Sequence, residues 1–357
     1  MRPGAGLFPF RARRQNPRIS LPSIGTTFMT TTSQSRHRRR AFTLAGLLAL
    51  ACTGAASQPE AAADRAPRRG QAGKDVVWIA TPDAAVDRML RMAGVRTADR
   101  VVDLGSGDGR IAIAAGRDFG ARATGLEFDA DLVALSARRA REAGVAGRVD
   151  FRRADIFATD FADATVVTMY LLPELNLRLR PVLFRMAPGT RVVSHSFAMG
   201  DWRADETSTV GNATLHLWRV PANAAGVWRV RAPSPAAAVL AGVPSSASAS
   251  SVPATPGELR FSQRFQQVEG DASFGPLTAS AIRPALSGDA LSFTLRDGDG
   301  VLLHVRSLIT GDRMTGTLSR DMGPALAFDA ERVGDAPTID GVEATQAERD
   351  AAARVLN

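Results

Sequence analysis

The chemistry legible in this chain rests on a run of glycines and three acids. The run is Val101-Val102-Asp103-Leu104-Gly105-Ser106-Gly107-Asp108-Gly109-Arg110. A short apolar stretch ends in a carboxylate, and a glycine-rich turn then opens a helix. Glycines let a backbone approach a ligand closely and adopt turns that side chains forbid. A dinucleotide site wants G-x-G-x-x-G, with the pyrophosphate on a helix N-terminus. Counting from Gly105, the third glycine of that pattern would fall on Arg110. Asp103 and Asp108 flank the turn, and carboxylates there repel a pyrophosphate. They suit S-adenosylmethionine, which carries an ammonium and a sulfonium and no phosphate. A triphosphate loop is excluded, because no G-x-x-x-x-G-K-[ST] occurs.

Two further acids extend the pattern. Glu127, in Gly125-Leu126-Glu127, closes a second apolar run about 20 residues past the turn, where an acid can accept both hydroxyls of a ribose. NAD sites share this feature, so it supports adenosine binding without choosing the cofactor. Asp155, in Ala154-Asp155-Ile156, follows a third run. It can accept from an adenine amino group while Ile156 packs on the ring. Each acid alone reads as a solvated loop residue, and their joint placement carries the argument.

The elements that must position them alternate. Strands are expected at Arg100 to Leu104, Ala123 to Leu126, Val149 to Arg152, Ala164 to Met169 and Arg191 to His195. Helices are expected at Arg110 to Phe119, Ala130 to Ala143 and Glu174 to Ala187. The run Ala164 to Met169 is continuous and β-branched, as a central parallel strand should be. Thr214 to Val220 and Val227 to Arg231 read as a closing hairpin. The alternation implies a Rossmann-like, doubly wound, seven-stranded α/β sheet over residues 74–232, with the acids beyond the carboxyl ends of its strands.

The rest of the chain divides by composition. Its net charge is +8, but residues 1–52 hold nine arginines and no acid, so the remainder is close to neutral. No basic face, and no nucleic-acid partner, is implied. Residues 1–55 read as a leader: Arg36 to Arg40 are followed by an apolar Ala41 to Ala51 and by small residues, the layout of a signal peptide. Met29 is a second candidate start, and Arg39-Arg40-Ala41-Phe42 partly resembles a twin-arginine signal. Cys52, the one cysteine, rules out an intrachain disulfide or zinc site and follows a loose lipoprotein box. The leader points to export, periplasmic or anchored by lipid at Cys52; if it is not cleaved, the chain stays in the cytoplasm. No later stretch approaches 18 apolar residues, so no further segment is expected to span a membrane.

Residues 56–73 read as a linker and residues 233–257 as a second, rich in Ala, Ser and Pro. Residues 258–334 alternate with period two at Leu259, Phe261 and Phe265, at Leu291, Phe293 and Leu295, and at Leu303 and Val305. They predict a small antiparallel barrel or sandwich. Asp297-Gly298-Asp299-Gly300 reads as a hairpin turn. A calcium loop there would need ligands at Val301 and Leu308, which have none to offer, and no metal site is expected. Residues 335–357 read as a weakly structured tail.

The stretch from Val76 to Arg231 resembles bacterial relatives of the class I lysine methyltransferases that act on the ATP synthase c subunit, and more distantly the Dot1 type. The likeness is carried by Thr81-Pro82, DLGSGDGR at 103–110, Tyr170-Leu171-Leu172-Pro173 with Asn176-Leu177, Arg191 to His195, and Met199-Gly200-Asp201-Trp202. It covers under half of the chain. It implies that Asp103, Gly105 and Gly107 cradle the methionine end of S-adenosylmethionine, that Glu127 holds the ribose and Asp155 the adenine. It places Thr81 on a loop closing over the cofactor and Tyr170 near the transferred methyl, as the catalytic candidate.

One departure bears on the acceptor. Where many amine methyltransferases carry Asn/Asp-Pro-Pro-aromatic, this chain has Met169 to Pro173. The expected reaction is methyl transfer, most readily to a lysine of a protein partner. Tyr170, water or His195 could remove the amine proton, although a lone strand-end histidine is more often structural. Two other readings stand beside it. One is an exported cofactor-binding or adaptor protein without transfer activity, suggested by the leader. The other is an NAD-dependent oxidoreductase, opposed by Asp103, Asp108 and Arg110.

Overall fold

A computed structural model describes residues 71–72, 77–231, 257–274, 277–296, 300, 302–320 and 325–355. The leader, Cys52 and the Ala/Ser/Pro linker lie outside the described residues, as do Asp297 to Asp299.

Seven strands form the first sheet: β3 (Arg100–Leu104), β4 (Arg122–Glu127), β5 (Val149–Arg153), β6 (Val166–Met169), β7 (Arg191–His195), β8 (Glu206–Val210) and β9 (Ala213–Arg219). Before them, β1 (Gln71–Ala72) pairs with β2 (Val77–Trp78). The sheet order is β5-β4-β3-β6-β7-β9-β8, parallel from β5 to β7, with β9 and β8 antiparallel at one edge. The order reverses between β3 and β6, and an open α/β sheet binds ligands at such a switch point.

Alternate residues of the central strands enter opposite cores. Val101, Val166 and Val193 face a core built with α1 (Asp83–Met92), α2 (Arg110–Asp118) and α3 (Ala130–Glu142). Val102, Leu104, Val167, Met169 and Val192 face a second core built with α4 (Pro173–Leu183). The sheet is thus covered on both faces, and its strands are near-continuous apolar runs for that reason.

The closing hairpin differs from expectation. β9 pairs with β8, not with Val227 to Arg231, and the register runs from Glu206↔Leu217 to Val210↔Ala213. The sequence Glu-Thr-Ser-Thr-Val of β8 hides its strand because an edge strand has little to bury. The segment from Gly226 belongs elsewhere. β10 (Gly226–Arg231) joins a nine-stranded antiparallel sheet with β11 (Gly257–Arg264), β12 (Gln267–Phe274), β13 (Leu277–Ser280), β14 (Ile282–Ser287), β15 (Ala290–Arg296), β16 (Leu302–Thr310), β17 (Arg313–Arg320) and β18 (Leu326–Val333). The boundary expected at 232 therefore falls ahead of Gly226.

This second sheet has the order β13-β12-β11-β10-β18-β17-β16-β15-β14. Its two edge strands, β13 and β14, are consecutive in the chain with only Ala281 between them. Ala281 N–H donates to the carbonyl of Gly270 in β12. One residue cannot cross a flat nine-stranded sheet, so the sheet curls until its edges meet, which resolves barrel against sandwich in favour of a barrel-like form. Trp228, Leu259, Phe261, Phe293, Val305 and Phe328 fill the interior. Arg296 pairs with Leu302 across the expected hairpin turn.

The tail is ordered, against expectation. Residues Gln346–Arg354 form α5, opened by a capping box between Thr345 and Glu348. Glu348 meets Arg180 of α4 in a two-pronged ion pair, Oε1 to Nη1 at 2.7 Å and Oε2 to Nη2 at 3.0 Å. Arg180 is fully buried and donates also to the carbonyls of Met199 and Val342. Burial alone would raise the pKa of Glu348. The Arg180 fork and the N–H groups of Asp201 and Thr345 outweigh burial and hold it down at about 2. Gly200 is required beside this pair: its φ is +59°, and a Cβ there would lie 2.3 Å from Glu348 Oε1.

Among the described residues, no helix is long and apolar enough to cross a membrane, and no three metal-ligating side chains cluster.

The Arg180 pair yields a stability prediction. Glu348→Ala leaves a buried guanidinium uncompensated and should destabilise the protein by about 3–5 kcal/mol at neutral pH, read by urea unfolding. The depressed carboxylate pKa means that this contribution is complete above the ordinary glutamate range and is lost as pH falls toward 2. An unfolding midpoint within error of the parent would show that the pair contributes nothing net.

Candidate active site

The glycine turn sits at the switch point, between β3 and α2. Gly105 and Ser106 donate their N–H groups to the carbonyl of Leu126 in β4, and Gly109 donates to Ser106. Gly109 has φ +81°, and a Cβ there would lie 2.6 Å from the Phe151 ring, so a side chain is barred by both conformation and space. Gly107 N–H donates to Glu127 Oε2 at 2.8 Å.

Asp103 is buried at the end of β3 and accepts from Thr168 Oγ1 at 2.8 Å. Burial raises its pKa to about 7, Thr168 opposes that rise, and the charges of Asp108 and Glu127 add to it. A carboxylate in this state gains from any cation placed beside it, because the cation favours its ionised form.

Asp108 is put to a different use from the one expected. Arg110 approaches both of its oxygens, with Nε to Oδ1 at 2.9 Å and Nη2 to Oδ2 at 2.6 Å, and Arg139 Nη1 reaches Oδ2 at 2.5 Å. Burial would raise this carboxyl, but the two guanidiniums outweigh it and lower the pKa. Asp108 is therefore anchored by two guanidiniums, which offset its charge. The case against a pyrophosphate rests instead on Gly107: the N–H that a phosphate would use is already donated to a carboxylate.

Glu127 also does more than expected. Besides Gly107, its Oε1 accepts from the N–H groups of Phe128 and Asp129 at 2.8 and 3.0 Å. A carboxylate has about four lone-pair directions. This arrangement leaves Oε2 with a further acceptor direction for a ribose hydroxyl. Asp155 and Ile156 are half-buried just beyond β5. Asp155 Oδ1 caps the N–H of Phe157 at 3.0 Å, and Ile156 packs against the α4-side core.

Thr81 and Tyr170 converge with His195. Thr81 precedes α1, and its Oγ1 lies 3.1 Å from His195 Nδ1. Its carbonyl accepts from Arg110 Nη1 at 2.9 Å, which ties the N-terminal segment to the glycine turn. The Tyr170 and His195 rings lie 3.9 Å apart. Burial pushes the His195 pKa down to about 4, so the imidazole is neutral at physiological pH. In the sequence His195 reads as structural; its strand-end position is the one signal it gives, and only the contact with Thr81 and Tyr170 gives that signal meaning.

The residues present suit S-adenosylmethionine: a buried acid able to gain from a cation, a second acid at the end of the next strand, and a turn whose Gly107 N–H is already donated to that acid. Known proteins agree with this reading. A family described as ANTKMT methyltransferase domain matches residues 103–206. A protein-lysine N-methyltransferase of Saccharolobus islandicus is 39% identical over 143 residues, which span 40% of this chain and 89% of that one. This chain belongs to the class I S-adenosylmethionine-dependent methyltransferases. A mouse lysine N-methyltransferase named for the c subunit of ATP synthase is 34% identical to this methyltransferase, over 41% of the chain and 58% of the mouse protein. A solved structure described as an RNA methyltransferase from Salinibacter ruber, in complex with S-adenosylhomocysteine, is 51% identical over 40% of the chain and 94% of that protein, with a TM-score of 0.39. The methyl donor of this methyltransferase is S-adenosylmethionine.

Asp103 makes donor binding depend on pH. A bound ammonium lowers its pKa from about 7, so binding releases a proton below that value. Affinity for S-adenosylmethionine should tighten as pH rises toward 7, by at most about tenfold per unit, and level off above it. Calorimetry between pH 5.5 and 8 checks this, and Asp103→Asn should both weaken binding and flatten the profile. A flat profile in the parent would remove Asp103 from the ammonium site. Independently, Asp108→Asn leaves two partly buried guanidiniums without their anion and should cost about 2–4 kcal/mol of stability, read by urea unfolding.

Proposed function

We propose that this methyltransferase transfers a methyl group to the side-chain amine of a lysine in a protein. The observation that carries the reading is the cluster of Thr81, Tyr170 and His195, in which burial keeps the imidazole neutral. The burial that keeps His195 uncharged acts on any amine placed beside it. It disfavours the ammonium and favours the free amine, the only form with a lone pair to attack. Relatives whose names specify lysine acceptors support the same reading.

When bound, S-adenosylmethionine supplies an electrophilic methyl on a sulfonium. The residues of the chain need only place the amine in line, exclude water and let one proton leave, and such positioning accounts for much of the barrier in displacement reactions. A nitrogen–carbon bond forms, the carbon–sulfur bond breaks, and the amine proton passes to solvent. Tyr170 is the proposed catalytic group, its hydroxyl orienting the amine and relaying that proton. His195 is held too far below neutrality to act as the resting base, and its role is to support Tyr170. Thr81, Asp103, Gly105, Gly107, Glu127, Asp155 and Ile156 are the proposed donor-binding set.

We also propose that the leader exports the chain, with a lipid on Cys52 as its anchored form. S-adenosylmethionine is made in the cytosol, so a retained leader would keep enzyme and donor in one compartment. Fractionation of cells expressing the C-terminally tagged chain, with the mass of the product, separates these states.

The activity test uses the full chain, methyl-labelled S-adenosylmethionine and a total lysate as acceptor. Label should appear in hydrolysates as methyl-lysine and should disappear when protein lysines are blocked beforehand. Tyr170→Phe should lower kcat by about 10²-fold or more while donor affinity holds. Label recovered in RNA, or a Tyr170→Phe enzyme of parental rate, would overturn the reading.

A further inference from the structure

The turn that follows β7 is unusual and is held in place from outside itself. Phe197 N–H donates to the carbonyl of His195 at 2.9 Å, closing a three-residue turn centred on Ser196. Ser196 has φ +66° and is not a glycine. A tight turn of this hand is rare and strained, and it persists only where surrounding structure imposes it. Ser196 N–H is held by the carbonyl of Thr214 at 2.7 Å. His216 also hydrogen-bonds the Ser196 backbone, and a further restraint is Asn176, in the first half of α4. It is fully buried, and its Nδ2 reaches the carbonyls of Phe197 at 3.1 Å and Ala198 at 3.3 Å, and Ser194 Oγ at 3.3 Å. Facing two carbonyls, this atom must be the amide nitrogen.

The strained turn sets two rings against Tyr170. The His195 ring lies 3.9 Å from it, and the Phe197 ring lies 6.3 Å away, nearly parallel, with interplanar angle 29°. Tyr170 and Phe197 are half-buried, so their faces are shared between protein and solvent. An apolar aromatic surface ending in a phenol hydroxyl matches a lysine side chain, with an aliphatic stem to cover and an amine to orient.

We infer that Tyr170, His195 and Phe197 form the wall against which the acceptor's lysine side chain lies, and that Asn176 is the positioning residue that holds this wall in shape. The inference rests on the lysine reading above and adds to it a binding surface and a residue that touches neither substrate. Asn176 acts through the turn: without its two carbonyl contacts the strained Ser196 relaxes and the Phe197 ring leaves Tyr170, while His195 stays held in β7 and by Thr81. A glycine at 196 would carry no such strain and would need less restraint.

Tyr170 is the only tyrosine in the chain, so its ring signals in an NMR spectrum report on this wall alone. The experiment titrates n-butylamine, the lysine side chain without its backbone, into the full chain saturated with S-adenosylhomocysteine. Tyr170 signals should shift saturably. Phe197→Ala and Asn176→Ala should each weaken that titration by about tenfold or more, while S-adenosylhomocysteine affinity stays within about threefold of the parent. Hydrogen exchange at residues 196–198 should accelerate in Asn176→Ala. Adding Ser196→Gly to Asn176→Ala should recover part of the butylamine response, which a merely structural asparagine would not allow. Unshifted Tyr170 signals in the parent, or an unchanged titration in Asn176→Ala, would overturn the inference. Should Asn176→Ala not fold, Phe197→Ala and Ser196→Gly alone decide it, since the first must lose the response and the second must keep it. Failure of lysine labelling with an intact butylamine response would instead overturn the acceptor reading and leave the wall standing as an amine site.

Discussion

The cofactor end of the molecule depends on one buried carboxylate shared by two guanidiniums. Asp108 lies inside the glycine turn, Arg110 opens α2 and Arg139 comes from α3. A carboxylate out of water is costly unless its lone pairs are used and its charge is met. Here both conditions are satisfied from two elements on the same face of the sheet. Because Arg110 also holds the carbonyl of Thr81, the geometry of the turn is passed to the segment ahead of α1, and from Thr81 to His195 and Tyr170. The glycine turn is thereby connected to His195 through polar contacts, and from His195 to Tyr170 through a ring contact.

A second ion pair anchors the segment that follows β7. Arg180 and Glu348 join α4 to a helix that follows the barrel, and both hold the segment after β7: Arg180 by the carbonyl of Met199, Glu348 by the N–H of Asp201. The barrel reaches the same segment. Phe265, at the tip of the β11–β12 hairpin, is buried beside Trp202 and Phe184, and Arg264 pairs with Asp201. The barrel and tail are thus continuous with the methyltransferase core. Their described contacts hold the segment from Met199 to Trp202, which follows Phe197.

Asp103 and Asp108 are equally buried, so pairing and not burial separates the directions of their pKa shifts. Acids that are fully paired, Asp108 and Glu348, have depressed pKa values. Asp103, buried with a single hydroxyl donor, is raised toward neutrality, and His195 is lowered away from it. Asp103 and His195, shifted by burial and lying beside the glycine turn and Tyr170, are the groups of this site whose ionisation a bound ligand would change.

Much of this was legible in the order of residues. Apolar runs with β-branched residues mark buried parallel strands, whatever else surrounds them, and D-x-G-x-G with acids at the next two strand ends marks the ligand edge of the sheet, because those features depend on local conformation and on period. The doubly wound parallel sheet, the cofactor class and the existence of a separate β domain followed from them, whereas the strand order came from the structure. Tertiary structure decided what depends on distant partners. Whether Asp108 faces a ligand or an arginine turns on Arg139 in another helix, and Glu127 loses lone pairs to three backbone N–H groups. The polar β8 is a strand only because β9 lies beside it, and β10 belongs to the barrel because β11 and β18 flank it. The tail is ordered because Arg180 is buried 168 residues earlier, and a contact at that separation leaves no periodic trace in the chain.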